Sequence, residues 1–341
     1  MIKRKLLIIS VIVIIFVAFF NIENTVNVVH ESINIFYNFV LPYILPFLFI
    51  IQIFIRLKGG IFIAYYLQKI TYKVLGLNGY ETLISLCSIL SGYPSISIYT
   101  ESFYSQGKID KKSALDLIYF SSFPSLFFVL GSMPKYLDNF LVPKLIFLSI
   151  LLGGLLILKL RKNTCNFIKK DEFESLLKSY KKSDIFMIIK DSINTTITSI
   201  LFIMFSYIFY SIIANLIHLL FPYKIVLILT SLLEFSNGVF VVSKLTINKL
   251  IKYNLIIFIL CFGGLSILTQ IDSFLDSIKL NYLDYFKAKI KHALVACIIF
   301  NILYIFFIIW SFLFPYLYIL DLNPSFSIGF NKESISKTKY A

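Results

Sequence analysis

Residues 82–100 read TLISLCSILSGYPSISIYT, an apolar stretch interrupted in its middle by Ser91-Gly92-Tyr93-Pro94. A glycine with a proline two residues later frees backbone N–H and C=O groups within a helix. In hydrocarbon each such group costs several kcal/mol, so interrupted backbone persists only inside protein or beside a water-filled cavity. We therefore predict that residues 82–100 form a re-entrant hairpin with its tip at the membrane midplane.

A second stretch in the other half of the chain has the same character. Residues 225–243 read IVLILTSLLEFSNGVFVVS, and Glu234-Phe235-Ser236-Asn237-Gly238 interrupts them. The Asn-Gly pair is a turn signal inside an otherwise apolar run. We predict a second re-entrant hairpin here, with the two tips facing each other across one cavity.

The span that follows each hairpin is also interrupted. Span 113–134 contains Ser121-Ser122-Phe123-Pro124-Ser125, and span 253–270 contains Gly263-Gly264-Leu265-Ser266. Each half of the chain therefore has a span, a hairpin, a broken span and a closing span, in that order. Loop charges start the first half outside and the second half inside, which predicts two inverted-topology repeats. Paired interruptions in inverted halves are the best sequence-level indication of a transport site.

The composition determines the class of protein. The chain has 341 residues, 58% hydrophobic and only 15% charged, with a mean hydropathy of +0.85. Soluble domains carry about 25% charged residues. The sequence therefore predicts an all-α polytopic integral membrane protein whose principal partner is the lipid bilayer. The net charge of +14 resides in lysines of short loops, the positive-inside pattern, so we expect no nucleic-acid partner.

The pattern of apolar runs and loop charges predicts about seven spans and two re-entrant hairpins. Lys279–Lys291 carries both lysines and apolar residues, so we expect it to lie along the membrane surface, with His292 at a span end. The predicted divisions are an N-terminal span and outer loop (1–32), a first repeat (33–160), a basic cytoplasmic linker with a short helix (161–184), a second repeat (185–314) and a C-terminal tail (315–341).

The interruptions supply the candidate binding groups. Broken helices aim half-helix N-termini, each worth about half a positive charge, at a cavity. We place no Lys or Arg inside a span, so an anion would be held by these dipoles and by hydroxyl groups. The competing interpretation is that Ser and Gly only let helices pack closely. The candidate solute-binding residues are Ser91, Gly92, Tyr93, Pro94, Ser121, Ser122, Pro124, Ser125, Glu234, Ser236, Asn237, Gly238, Gly263, Gly264, Ser266 and Gln270.

Glu234 is the only carboxylate at the centre of a strongly apolar segment. Charged residues at such positions normally face a cavity or a partner. Two roles fit the residue. It can cap the freed N–H groups of the half-helix that follows, or it can bind a coupling proton or cation as solute moves.

Five motifs occur in an order that resembles one family. They are LSGYP (90–94), QGKIDKKSALDL (106–117), FSSFPSLFFVLGS (120–132), LLEFSNG (232–238) and CFGGLSILTQ (261–270). They are similar to the sporulation integral membrane protein family YlbJ, within the gate-domain superfamily that includes the concentrative nucleoside transporters. The similarity runs from about residue 35 to about residue 305. It implies a nucleoside-transporter-like inverted-repeat fold and export of dipicolinic acid from the mother cell across the outer forespore membrane.

The chain departs from that family pattern in its first half. The family usually continues SGYP with x-Gly-Ala-Lys, whereas this chain has Ser95-Ile96-Ser97-Ile98. The family usually has an asparagine pair where Ser121-Ser122 stands here. Both changes remove polar or cationic capacity, which leaves open an altered substrate.

Two other classes of function compete with a carrier. A non-transporting scaffold could recruit partners through the basic linker 161–184, but it has no use for intramembrane interruptions. An intramembrane enzyme is disfavoured because the three histidines are scattered and no HExxH or GxSxG motif occurs. We therefore predict no catalytic residue, no metal ion and no cofactor, and we expect a small anionic solute. The sequence leaves open a nucleoside or other solute, a coupling proton or cation, and homo-oligomer formation.

Overall fold

The computed structural model describes residues 2–137, 139–161, 167–178, 185–220 and 229–313, and every regular element in these ranges is a helix. The first half contains α1 (Ile2–Phe20), α2 (Ile22–Ile35), a π-helical turn (Phe36–Val40), α3 (Leu41–Arg56), α4 (Gly59–Leu75), α5 (Gly79–Ser91), α6 (Tyr93–Ser105), α7 (Lys111–Phe120), α8 (Leu126–Leu137) and α9 (Leu141–Lys159). After it come α10 (Lys170–Lys178), α11 (Ile185–Leu220), α12 (Phe235–Lys244), α13 (Lys249–Phe262), α14 (Gly264–Asp272) and α15 (Tyr282–Leu313). The predicted tail 315–341 lies outside the described residues, as do 162–166 and 179–184 of the linker and the start of the second hairpin.

Five helical stretches in the described ranges are long and apolar enough to cross a membrane. They are Ile22–Arg56, Leu141–Lys159, Ile185–His218, Lys249–Asp272 and Tyr282–Trp310. The bent pair α4 and α5, which turns through 87° at its break, adds a sixth if it is taken as one span. The all-α class is therefore confirmed, and these helices are compatible with an integral membrane protein.

The helices are interrupted at all four predicted places. The helix of α5 stops at Gly92, and α7 is separated from α8 by residues 121–125. A short helical segment, 229–233, stops at Glu234 before α12 begins. Gly263 separates α13 from α14 and has a positive φ of 74°. Each of the four interruptions therefore exposes helix-terminal backbone groups within a packed interior.

Residues 21–32 are predicted to be an outer loop, but residues 22–32 are helical. They belong to α2, which continues through the π-helical turn into α3. Ile22, Val26 and Ile33 recur at helical spacing and are exposed on one side of α2, while Glu31 and Ser32 line a cavity against α11. The loop prediction was wrong because the polar residues are interspersed with apolar residues at helical spacing, so the segment forms a helix that continues into α3.

Segment Lys279–Lys291, predicted to lie along the membrane surface, instead leads into the long helix α15. Lys289 and His292 are both fully buried, so the interfacial placement of His292 was also wrong. The helix packs against α9 and α13. Its buried face is formed by residues at intervals of three or four, namely Tyr285, Lys289, His292, Ala296 and Phe300.

The linker contains the predicted short helix, α10, and this part of the linker is docked onto the helix bundle. Gln68 of α4 donates from Nε2 to the Ile168 carbonyl at 3.1 Å and accepts from the Ile168 N–H at 2.8 Å. Phe173 of α10 stacks on Tyr65, with ring centroids 4.2 Å apart. These contacts hold residues 168–173 against α4.

Candidate solute site

The interruptions converge on one buried cavity, here called the central cavity, of about 30 Å³. Nine of the predicted site residues line it, and eight residues of neighbouring segments complete it. The predicted ones are Ser91, Gly92, Tyr93, Pro94, Pro124, Ser125, Glu234, Ser236 and Gln270, and the others are Phe36, Val40, Ile44, Phe128, Ile203, Tyr207, Phe235 and Ile267. A cavity of this size has room for a water molecule or two. The central cavity is therefore closed to a larger solute in this conformation.

In the first half, the break after α5 packs directly on the break after α7. Gly92 has φ 91° and ψ −168°, a region that is essentially restricted to glycine. A Cβ atom at Gly92 would lie 3.2 Å from both the Cβ and the backbone N of Ser125. The Ser125 hydroxyl donates to the Leu90 carbonyl at 3.1 Å, and the Ser88 hydroxyl accepts from the Phe123 N–H at 3.2 Å. Serines thus satisfy the backbone groups that these breaks free.

In the second half, Glu234 is the N-cap residue of α12. Its Oε2 accepts a hydrogen bond from the Asn237 N–H at 2.7 Å, and the residue is only 2% exposed. A carboxylate at a helix N-terminus is stabilised both by this hydrogen bond and by the helix dipole. Glu234 therefore lines the central cavity while it closes the end of α12.

The segment on either side of Glu234 also packs on the break between α13 and α14. Gly264 has a positive φ of 76°, and a Cβ there would lie 2.8 Å from the Leu232 carbonyl oxygen. A Cβ at Gly238 would lie 2.8 Å from Ser231 Cα. Glycine is therefore required at both positions because backbone approaches too closely for any side chain.

The two halves meet beside the central cavity. The Tyr93 hydroxyl, in the first half, donates to the Leu260 carbonyl in α13. The rings of Tyr93 and Phe235 have centroids 5.5 Å apart, and those of Phe128 and Phe235 are 5.7 Å apart. Phe235 thus sits between two aromatic residues of the first half.

A second cavity of about 260 Å³ lies next to the central cavity and shares Tyr207 with it. The Tyr207 hydroxyl donates to Asn237 Oδ1 at 2.8 Å, and Asn237 Nδ2 donates to Ser211 Oγ at 2.9 Å. Glu31 and His218 also line this second cavity. The hydrogen-bonded pair Tyr207 and Asn237 therefore stands at the boundary between the two cavities.

The remaining predicted residues lie away from the central cavity. Asn237 lines the second cavity, and Gly238, Gly263 and Gly264 form close backbone contacts. Ser121, Ser122 and Ser266 are buried beside the breaks without lining the central cavity.

Lys289 is the functional candidate that the sequence analysis missed. Its Nζ donates to the Ser122 carbonyl at 3.3 Å and also to the Ser122 hydroxyl. No carboxylate lies within 4 Å of Lys289 among the described residues. Its position in the sequence gives one indication: Tyr285, Lys289 and His292 follow one another at intervals of four and three residues, as residues on one face of a helix do. A buried amine therefore lies under the Ser121–Ser125 break, where the sequence predicts only hydroxyl groups and helix dipoles.

Within the described ranges, no three His, Cys, Asp or Glu side chains come together as a metal site would require. The chain matches no protein-family model, no curated protein and no solved structure.

Proposed function

We propose that this chain is a membrane carrier for a small anionic solute, with the central cavity as its occluded solute site. The observation that carries the proposal is the convergence of Gly92, Ser125, Glu234 and Gln270, from all four interrupted segments, on one buried cavity. Packing alone does not require interruptions from distant parts of a chain to meet. Discontinuous helices around a central site are the arrangement found in many secondary transporters.

Contacts at the predicted cytoplasmic end support the topology of seven spans and two inverted repeats. Glu101, which ends the first hairpin, accepts from the Ser277 N–H at 2.9 Å. Arg161, at the start of the linker, forms an ion pair with Glu81 at 2.7 Å. In the proposed topology all four residues lie on the cytoplasmic side of the membrane.

Contacts at the opposite end agree with that assignment. Tyr136 and Phe240 have ring centroids 5.6 Å apart, and Tyr253 and Tyr304 have centroids 5.8 Å apart. In the proposed topology these four residues all lie toward the outer side. The second cavity, lined by Glu31 and His218, would open on that side as well.

The resemblance to the sporulation family points to dipicolinic acid as the solute and to the outer forespore membrane as the location. A flat dianion needs hydrogen-bond donors for its carboxylates and apolar walls for its ring. The half-helix N-terminus at Gly92 and the Gln270 amide would supply the donors, and the rings of Tyr93, Phe128 and Phe235 the walls, once the cavity opens.

The test measures dipicolinate in spores of a strain that lacks this chain and is complemented with variants. Ser236→Leu places a large side chain in the central cavity, and we expect it to lower spore dipicolinate to the level of the deletion strain. Ser243→Leu is the matched control, because Ser243 lies on the same helix but does not line that cavity. Normal dipicolinate in the uncomplemented deletion strain would overturn the proposed solute and role.

A further inference from the structure

A separate cavity of about 380 Å³ lies between α3, α6 and α11. We call it the basic cavity because Arg56, Lys58 and Lys108 line it. Its volume falls in the range of about 300–1,000 Å³ that is typical of small-molecule sites. None of the residues that line the central cavity lines this one.

Three hydrogen-bonding groups in the lining of the basic cavity have no partner among the described residues. Gln52 Nε2, Arg56 Nε and the Tyr99 hydroxyl are buried without a hydrogen bond, and Gln52 and Tyr99 are only 3% and 5% exposed. Buried polar atoms nearly always have a partner. The two nitrogens can only donate, so the missing partner must be a hydrogen-bond acceptor.

The charges around the basic cavity favour an acceptor that is also an anion. Arg56 is shared between Asp191, 3.7 Å away, and the Thr195 hydroxyl, 2.8 Å away. Lys108 pairs with Glu172. Lys58, by contrast, has no carboxylate within 4 Å among the described residues. Three cations are thus balanced by two carboxylates, which leaves positive charge facing the cavity.

Helix α10 forms one wall of the basic cavity through Leu176. Glu172 of the same helix accepts from the Tyr80 hydroxyl at 2.8 Å. Burial raises the pKa of the Glu172 carboxyl, but the hydrogen bonds from Lys108 and Tyr80 outweigh burial and lower the pKa below its ordinary value. Glu172 therefore stays ionised at neutral pH and keeps Lys108 at the edge of the cavity.

We propose that the basic cavity binds a small oxyanion, a carboxylate or a phosphate. Gln52 Nε2, Arg56 Nε and the Tyr99 hydroxyl donate to its oxygens, and Lys58 supplies the uncompensated positive charge. This site lies outside the central cavity, so it does not depend on the chain being a carrier.

Calorimetric titration of the purified full chain in detergent tests the proposal, with dipicolinate and inorganic phosphate as separate probes. We expect at least one probe to bind, with an affinity that falls as salt is added. Tyr99→Phe and Gln52→Leu each remove a donor that has no protein partner, so both variants should remain folded. Loss of a hydrogen bond to a charged group predicts about tenfold weaker binding for each variant. Tyr104→Phe, on the same helix as Tyr99 but outside the lining, is the matched control and should bind like the native chain.

Each outcome decides the proposal. Binding of dipicolinate alone supports a carboxylate ligand, and binding of phosphate alone supports a phosphate ligand. Failure of both probes to bind, or binding unchanged by both Tyr99→Phe and Gln52→Leu, would overturn the site. Variant-sensitive binding combined with normal dipicolinate in spores of the deletion strain would overturn the carrier and leave the anion site standing.

Discussion

Two buried ionisable side chains, an acid and an amine, lie at two ends of interrupted helices. The carboxyl group of Glu234 caps the N-terminus of α12, where the helix dipole is positive. The amine of Lys289 donates to the carbonyl of Ser122, just beyond the C-terminus of α7, where the dipole is negative. Each side chain therefore hydrogen-bonds to backbone at a helix end whose dipole has the complementary sign. This arrangement gives Glu234 and Lys289 a structural reason to be buried, whatever further part they have in solute binding.

The cap geometry predicts how Glu234 responds to substitution. Glu234→Gln keeps a side-chain oxygen that can accept from the Asn237 N–H, so we expect native stability and native transport. Glu234→Leu loses the cap and should be destabilised by about 0.5–2 kcal/mol. The measurements are thermal unfolding in detergent and dipicolinate content of complemented spores. If Glu234→Gln unfolds normally but loses transport, the carboxylate acts on a proton or cation and is more than a cap.

Gly92 is a second residue on which the conformation of a helix break depends. Gly92→Ala places a Cβ against Ser125 in a backbone region essentially restricted to glycine, which should cost about 1–3 kcal/mol. Gly107→Ala is the control, because Gly107 also has a positive φ, 69°, but nothing lies within 4 Å of its Cβ position. We expect a clearly larger fall in unfolding temperature for Gly92→Ala. Equal falls for the two variants would show that contact between the breaks contributes nothing to stability.

At the scale of elements, a buried ion pair joins α5 to the end of α9. Arg161 Nη2 lies 2.7 Å from Glu81 Oε1, and the two side chains are 8% and 2% exposed. Glu81 also accepts from the Asn78 N–H at 2.9 Å, which completes a capping box at the start of α5. Asp116 of α7 lies 3.7 Å from the same arginine. Arg161 therefore connects three elements at the end of the bundle nearest the linker.

Removing one partner of this pair should be far more costly than removing a surface pair. Arg161→Met leaves a buried carboxylate without its cation, and the expected loss is about 3–5 kcal/mol. Adding Glu81→Gln keeps the capping oxygen and removes the unpaired charge, so the double variant should recover part of that loss. Lys170→Ala breaks only the exposed pair with Glu174, and its effect should not exceed about 1 kcal/mol. Chemical unfolding in detergent measures the stabilities of the three variants. A double variant that is no more stable than Arg161→Met would contradict the ion-pair explanation.

At the scale of the whole molecule, the central, second and basic cavities can each be placed in the proposed topology. The central cavity adjoins the second cavity at Tyr207. The basic cavity, which Arg56 and Lys108 line, lies at the cytoplasmic end of the proposed topology. The proposed topology places the second cavity and the basic cavity on opposite sides of the membrane.

Cysteine labelling tests that topology directly. Single cysteines at Gly107 and Thr246 would be introduced after the four native cysteines are replaced. In the proposed topology, Gly107→Cys is reached by an impermeant maleimide only from the cytoplasmic side and Thr246→Cys only from the outer side. Labelling of both positions from the same side would contradict the two inverted repeats.

The sequence by itself determined the features that depend on local chemistry. An apolar composition, the loop charges and Gly or Pro within apolar runs were sufficient to predict an all-α membrane class. They also located the four breaks at Gly92, Ser121–Ser125, Glu234 and Gly263. These features could be predicted because hydrocarbon penalises charge and free backbone groups wherever a segment finally packs.

Only the tertiary structure decided which polar residues face the interior. Lys289 and His292 look like interfacial residues in the sequence, yet both are fully buried. The groups that accommodate them, Ser122 and the backbone carbonyl of Ile150, are distant in sequence. A buried polar group is tolerated only where its partner lies, and the position of that partner depends on how the helices pack.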